Sequence, residues 1–131
     1  MQPCDELKNI VLQNYEKLAY GKVLEVVRST YSPQEGVIVV GTDPNEWFEG
    51  FDSILHFYGS SEGHRLDVKV DVLKAYCEGN VGWTIDRVTV KLPNGVELPI
   101  RHTHIFHKEN GAWKIVHNHV SIAVPNDKIG E

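Results

Sequence analysis

Two His-x-His pairs, His102-Thr103-His104 and His117-Asn118-His119, hold four of the chain's seven histidines. On a strand alternate side chains share a face, so each pair presents two imidazoles side by side. Imidazole changes charge near neutral pH and is a common zinc ligand, so such pairs could move protons or hold a metal. Nearby lie Arg101 and Ser121, and further upstream Asp86 interrupts the apolar run WTIDRV. Asp86 could be a base or the salt-bridge partner of Arg101, and the second reading is favoured because buried carboxylates are usually paired.

Which groups meet depends on the turn between the two pairs. With a three-residue Glu109-Asn110-Gly111 loop, His117 opposes Thr103 and His119 opposes Arg101; with a two-residue Asn110-Gly111 turn, His117 opposes His104 and His119 opposes His102. The first register gathers Arg101, Thr103, His117, His119 and Ser121 into a polar wall beside Trp113, suited to an acidic or carbonyl-bearing ligand. The second gathers four imidazoles and would suit zinc. Each of His117 and His119 also has a plainer reading, as a core histidine satisfied by one hydrogen bond.

The elements that position these residues follow from periodicity. Leu7, Ile10, Val11, Asn14/Tyr15 and Leu18 recur at helical spacing and predict an amphipathic helix from Asp5 to about Gly21. A second, short helix spans Lys22 to Thr30 and stops at Ser32-Pro33. GVIVVGT, residues 36–42, reads as a buried strand, DPNEW as a turn, and Asp52 as the N-cap of a third helix ending at Gly59. From residue 64 to 124 the period is two, broken at Glu78-Gly79-Asn80, Pro93-Asn94-Gly95 and Glu109-Asn110-Gly111, which predicts a four-strand antiparallel meander. Helices must then cover one face of a strongly bent sheet, an α+β fold in a single domain, residues 1–131.

Composition narrows the partners. A chain of 131 residues, 41% hydrophobic and 24% charged, can bury a core of its own. With a net charge of -5 and no run of Lys or Arg, no nucleic-acid partner is expected. No apolar run is long enough to span a membrane, and MQPCDELKN has no secretion signal, so a cytoplasmic protein with Cys4 and Cys77 as free thiols is expected. Nucleotide-binding, P-loop, nucleophile-elbow and C-x-x-C motifs are missing, so no cofactor is expected.

The order of elements, the phrase GTDPNEWFEG with its Trp47-x-x-Gly50, Arg101-x-Thr103, and the ending WKIVHNHVSIAVPN together resemble the SnoaL-like branch of the nuclear transport factor 2-like superfamily. The resemblance covers nearly the whole chain. It implies a cone-shaped α+β barrel, ketosteroid-isomerase-like, in which a curved antiparallel sheet and N-terminal helices enclose a ligand-binding pocket, usually within a homodimer. It also pairs Arg101-x-Thr103 with His117-x-His119, favouring the first register. The expected pocket is then Trp47 at the mouth with Asp86, Arg101, Thr103, His117, His119 and Ser121, and no metal; His102 and His104 fall on the convex face. The fold does not fix a reaction. The expectation is a small-molecule-binding domain; the alternative is a cofactor-free isomerase, hydrolase or polyketide-cyclase-like enzyme using acid-base catalysis in the same pocket.

Overall fold

The computed structural model of the chain describes residues 1–130. In chain order its elements are β1 (Gln2–Pro3), α1 (Asp5–Ala19), α2 (Val23–Thr30), β2 (Ile38–Val40), β3 (Trp47–Glu49), α3 (Phe51–Gly59), β4 (Asp67–Glu78), β5 (Val81–Lys91), β6 (Glu97–Glu109), β7 (Ala112–Ile122) and a 3₁₀ turn at Asn126–Lys128. The strands form one curved, unclosed sheet in the order β1-β4-β5-β6-β7-β2-β3. The meander β4 to β7 is antiparallel as its alternation predicts, whereas β2 joins the far side of β7 in parallel. None of the described helices is long and apolar enough to cross a membrane.

Three details differ from the sequence reading. DPNEW is only partly a turn, because Trp47 begins β3 and pairs with Val40. The N-cap of α3 is Gly50, at φ 91°, and Asp52 lies inside the first turn, where its charge complements the helix dipole. The N-terminus adds the short β1 to the sheet edge, through Gln2 opposite Cys77 and Pro3 opposite Tyr76.

The helices bury the stripes that their spacing dictates. Leu7, Val11 and Asn14 are the buried residues of α1, and Val23, Val26 and Val27 those of α2. The chain turns between them at Gly21, φ +74°, where an added Cβ would lie 2.7 Å from the Gly63 backbone, so no other residue fits there. At one end of the concave face Phe106, Ile115, Ile54 and Leu7 are 0% exposed and make a solid core. At the other end the same face is hollow.

The last hairpin decides which side chains reach that hollow. Its turn is the two-residue Asn110-Gly111, with φ of 51° and 80°, and pairing starts as Glu109 opposite Ala112 and Phe106 opposite Ile115. A bulge then follows. Ile105 pairs with His117, leaving Val116 as the extra residue, and from there Thr103 opposes His119 and Arg101 opposes Ser121. The two-residue register, the alternative in the sequence reading, holds only from Glu109 to Phe106, and the favoured three-residue register is found nowhere along the hairpin. A bulge also reverses the phase of its strand. Trp113 and Ile115 are buried before it, Asn118 is buried after it, and Val120 lines the hollow. His117, His119 and Ser121 therefore share the convex face with Arg101 and Thr103.

Candidate functional site

The hollow is a cavity of about 300 Å³ between the helices and the sheet. That is the lower end of the range for small-molecule sites. Most of its wall is aliphatic, from α1 and α2 on one side (Val11, Leu18, Val26) and β5 to β7 on the other (Val88, Ile100, Val120). Its polar lining residues include Asn14 and Thr42, and five more, Tyr15, Tyr31, Tyr58, His102 and His104, gather at one end. No Asp, Glu, Lys or Arg side chain is part of the lining.

Behind that polar end runs a connected set of hydrogen bonds. The Tyr15 hydroxyl, carried into the interior on the apolar stripe of α1, donates to Asp86 Oδ2 at 2.8 Å and lies 3.1 Å from His102 Nδ1. The other nitrogen of His102, Nε2, is 3.1 Å from Asn118 Nδ2, and Asn118 Oδ1 accepts from the Tyr31 hydroxyl at 3.0 Å. Tyr58 on α3 reaches the same Asn118 and Tyr31 groups. His104 packs against His102 with ring centres 3.9 Å apart and planes tilted by 45°, and its Nδ1 is 3.3 Å from the buried Thr84 hydroxyl. With Nδ1 so engaged, Nε2 is the nitrogen of His104 left for a ligand.

Burial sets the protonation of this group. It pushes the Asp86 carboxyl up to about 6, although the hydrogen bond from Tyr15 opposes the shift. One carboxylate oxygen, Oδ1, is buried with no partner, which is consistent with a site that keeps a proton close. Burial holds His102 down at about 4 and His104 well below the ordinary histidine value, so both imidazoles are neutral at physiological pH. Tyr15, Tyr31 and Tyr58 are raised above the ordinary phenol value, first by burial, and stay protonated.

A metal is the other use for such residues. One ligand atom from each of Asp86, His102 and His104 lies within 4.8 Å of the other two. Zinc binds nitrogen and oxygen at ~2.0–2.2 Å, so the three would have to draw together. The Tyr15 hydroxyl already bridges two of them, and both nitrogens of His102 are in hydrogen bonds. An ion would have to displace that hydroxyl, so the geometry fits an acid-base group better than a metal centre.

The residues singled out in sequence are mostly elsewhere. Arg101 is exposed on the convex face, where its Nε donates to Ser121 Oγ at 3.3 Å, and Thr103 and His119 oppose each other beside it. His117 meets the backbone of β2 through its Nδ1, 2.8 Å from the Ile38 carbonyl oxygen. Trp47 is 62% exposed and donates to Glu49, away from the cavity. Asp86 alone among them belongs to the polar group behind the cavity. It lies across the sheet from the Arg101 side chain, so its partner is Tyr15. The expectation for His102 and His104 is reversed too: they face the cavity in phase with Phe106 along β6, and the bulge at Val116 is what turns His117 and His119 to the opposite face. Tyr15, Tyr31, Tyr58 and Asn118 were not singled out. The one signal for them was the polar pair Asn14/Tyr15 on an otherwise apolar helix stripe.

The chain belongs to the SnoaL-like domain family, whose model matches residues 9–125. No curated protein matches the sequence. Among solved structures it is similar to a nuclear transport factor 2-like protein of unknown function from Pseudomonas putida, at 11% identity over 94% of this chain and 88% of that one, TM-score 0.82. It is similar to a provisionally assigned ketosteroid isomerase from Parabacteroides distasonis, at 17% identity over 88% and 86% of the two chains, TM-score 0.74. It is similar also to a provisionally assigned dehydratase of the nuclear transport factor 2-like family from Streptomyces avermitilis, at 14% identity over 92% and 96%, TM-score 0.73. At these identities the likeness is one of fold.

Proposed function

We propose that this domain is an acid-base enzyme that moves a proton on a small, uncharged ligand bearing a carbonyl or hydroxyl group. The observation that carries the reading is the bonded group Asp86–Tyr15–His102 at the polar end of an apolar cavity. The Asp86 carboxylate accepts a proton through the Tyr15 hydroxyl, which takes one from the ligand as it gives its own to Asp86. His104 Nε2 is placed to meet the ligand oxygen. The lining speaks against an acidic ligand, because it offers no cation and Asp86 lies behind it. The Arg101 anchor expected from sequence is thereby replaced by neutral hydrogen-bonding groups. The assignments of isomerase and dehydratase among similar folds agree with this class of chemistry, and both reactions turn on moving a proton beside a carbonyl or hydroxyl.

Two simple probes test it with one readout. Cyclohex-3-enone isomerises, and 3-hydroxycyclohexanone dehydrates, to the same conjugated enone, which is followed by its ultraviolet absorbance. The protein is expected to speed at least one of these above buffer, and Asp86→Asn to lose about 100-fold or more of that rate, the usual worth of a general base. Binding of both probes without any acceleration would leave a binding domain instead. A homodimer belongs to the same proposal. Val81, Ile85 and Ile105, 50%, 44% and 37% exposed, are apolar residues of the convex face for a second copy to cover.

A further inference from the structure

We infer that Asn118 is a positioning residue that fixes His102 as its Nδ1–H tautomer and thereby makes it a permanent hydrogen-bond donor to Tyr15 rather than a base. The inference deepens the acid-base reading and rests on it for its catalytic meaning. It follows from counting protons.

Tyr15 has one hydroxyl proton and two partners, Asp86 Oδ2 at 2.8 Å and His102 Nδ1 at 3.1 Å. An ionised carboxylate has no proton to give, so Tyr15 must donate to Asp86. Its oxygen is then the acceptor from His102, and the imidazole proton must sit on Nδ1. A neutral ring carries one proton, so Nε2 holds a lone pair. That lone pair needs a donor, and Asn118 Nδ2 supplies it at 3.1 Å. The amide can turn only one way round while it does so. Its carbonyl oxygen then points to Tyr31, whose hydroxyl donates to it at 3.0 Å. Each member of the series Tyr31, Asn118, His102 and Tyr15 thus donates one hydrogen bond to the next, ending on Asp86, with a single direction throughout. Asn118 is 0% exposed, and its amide orientation is held from both ends.

The consequence is a division of labour. A carboxamide does not relay a proton as a hydroxyl or an imidazole does, so proton movement from the Asp86 end stops at His102. An imidazolium would turn an Nε2–H toward the Asn118 N–H, donor against donor. The amide therefore adds to burial in keeping His102 neutral. What remains for His102 is to hold the Tyr15 oxygen, which aims the Tyr15 proton at Asp86. Asp86 is left as the proton acceptor.

The tautomer can be read without any ligand, from ¹⁵N-histidine NMR of the protein at pH 7.5. The His102 signals are assigned by their loss in His102→Gln. The expected result is a protonated Nδ1 and a bare Nε2, the reverse of the tautomer that predominates for free histidine. Asn118→Asp replaces the donor facing Nε2 by an acceptor and should move the proton to Nε2 or give the imidazolium. Asn118→Leu, which removes both roles, should leave a mixture. A wild-type protein with the proton on Nε2 overturns the inference even if no variant folds. So does a folded Asn118→Asp whose His102 keeps a protonated Nδ1 and a bare Nε2. Because the spectrum involves no substrate, it can fail while the enone assay succeeds, and the reverse.

Discussion

His102-Thr103-His104 and His117-Asn118-His119 are the same tripeptide pattern on neighbouring strands, yet the histidines of the first line a cavity and those of the second do not. The rings of His102 and His104 lie 3.9 Å apart among aliphatic walls and are held neutral. Those of His117 and His119 lie 6.4 Å apart, edge to face, on the convex side of the sheet. In the second pattern the residue that reaches the interior is the middle one, Asn118, which lies opposite His104. Burial, set by one extra residue in a hairpin, separates a group able to do chemistry from one that is ordinary surface. Residue type alone does not.

The strongest way to break the comparison is to put a charge on each face of β7. Asn118→Lys would bury an unpaired ammonium opposite His104, and a loss of more than about 4 kcal/mol, or failure to fold, is expected. His119→Lys, one step along, stays on the convex face and should cost little. Urea unfolding measures both, and a stable Asn118→Lys variant would mean that this position is not interior. Deleting Val116 should keep the two faces as they are, because His117 would follow Ile115 directly and still oppose Ile105.

A smaller effect is expected from pH. Asp86 is raised from 3.8 to about 6 on folding, so its contribution to stability is present in acid and lost as pH rises through that window; at about 1.36 kcal/mol per pH unit it is roughly 3 kcal/mol. His102 is lowered from 6.5 to about 4, so the unfolded chain binds its proton more tightly, and stability rises over nearly the same window by roughly 3 kcal/mol. His104 acts in the same direction as His102. The two signs largely offset each other in the wild type. Asp86→Asn removes the falling part, so the rise in unfolding free energy between pH 4 and 6.5 should become steeper by up to about 3 kcal/mol. Denaturant titrations across that range test it, and an unchanged slope would place Asp86 in water rather than in the interior.

The comparison also shows what a sequence makes readable. Phases of α1 and α2 follow from Val11, Val26 and their neighbours because a stripe at helical spacing has only one way to bury. The Gly79-Asn80 and Asn110-Gly111 turns were visible in the chain because few residue pairs adopt their backbone angles. The short β1 and β3 were not, since two or three residues carry no period. The bulge was hidden for a different reason: in V-H-N-H-V one phase offers the interior two imidazoles and the other an amide between two valines, and either can be buried, so alternation does not choose between them. Tyr15, Asp86, His102 and Asn118 come from one helix and three strands, and only the closed fold brings them together.

Replacing single histidines sharpens the contrast at its finest scale. His102→Ala strips the Tyr15 hydroxyl and the Asn118 amide of a buried partner, and an unsatisfied buried polar group costs about 1–3 kcal/mol. His119→Ala should cost less than about 0.5 kcal/mol, the usual range for an exposed side chain with no buried partner. His119 is exposed, and its ring meets His117 edge-on at 6.4 Å, too far to hold it against water. Thr103 opposite it loses a neighbour but no hydrogen bond. The pair of variants is best measured side by side in urea, with the enone assay as a second readout, where His102→Ala should be impaired and His119→Ala unchanged. Equal stability losses would show that the convex pair is covered as fully as the concave one, as it would be beneath a second copy of the chain. In that case the loss for His119→Ala should shrink when the protein is diluted, whereas the loss for His102→Ala should not.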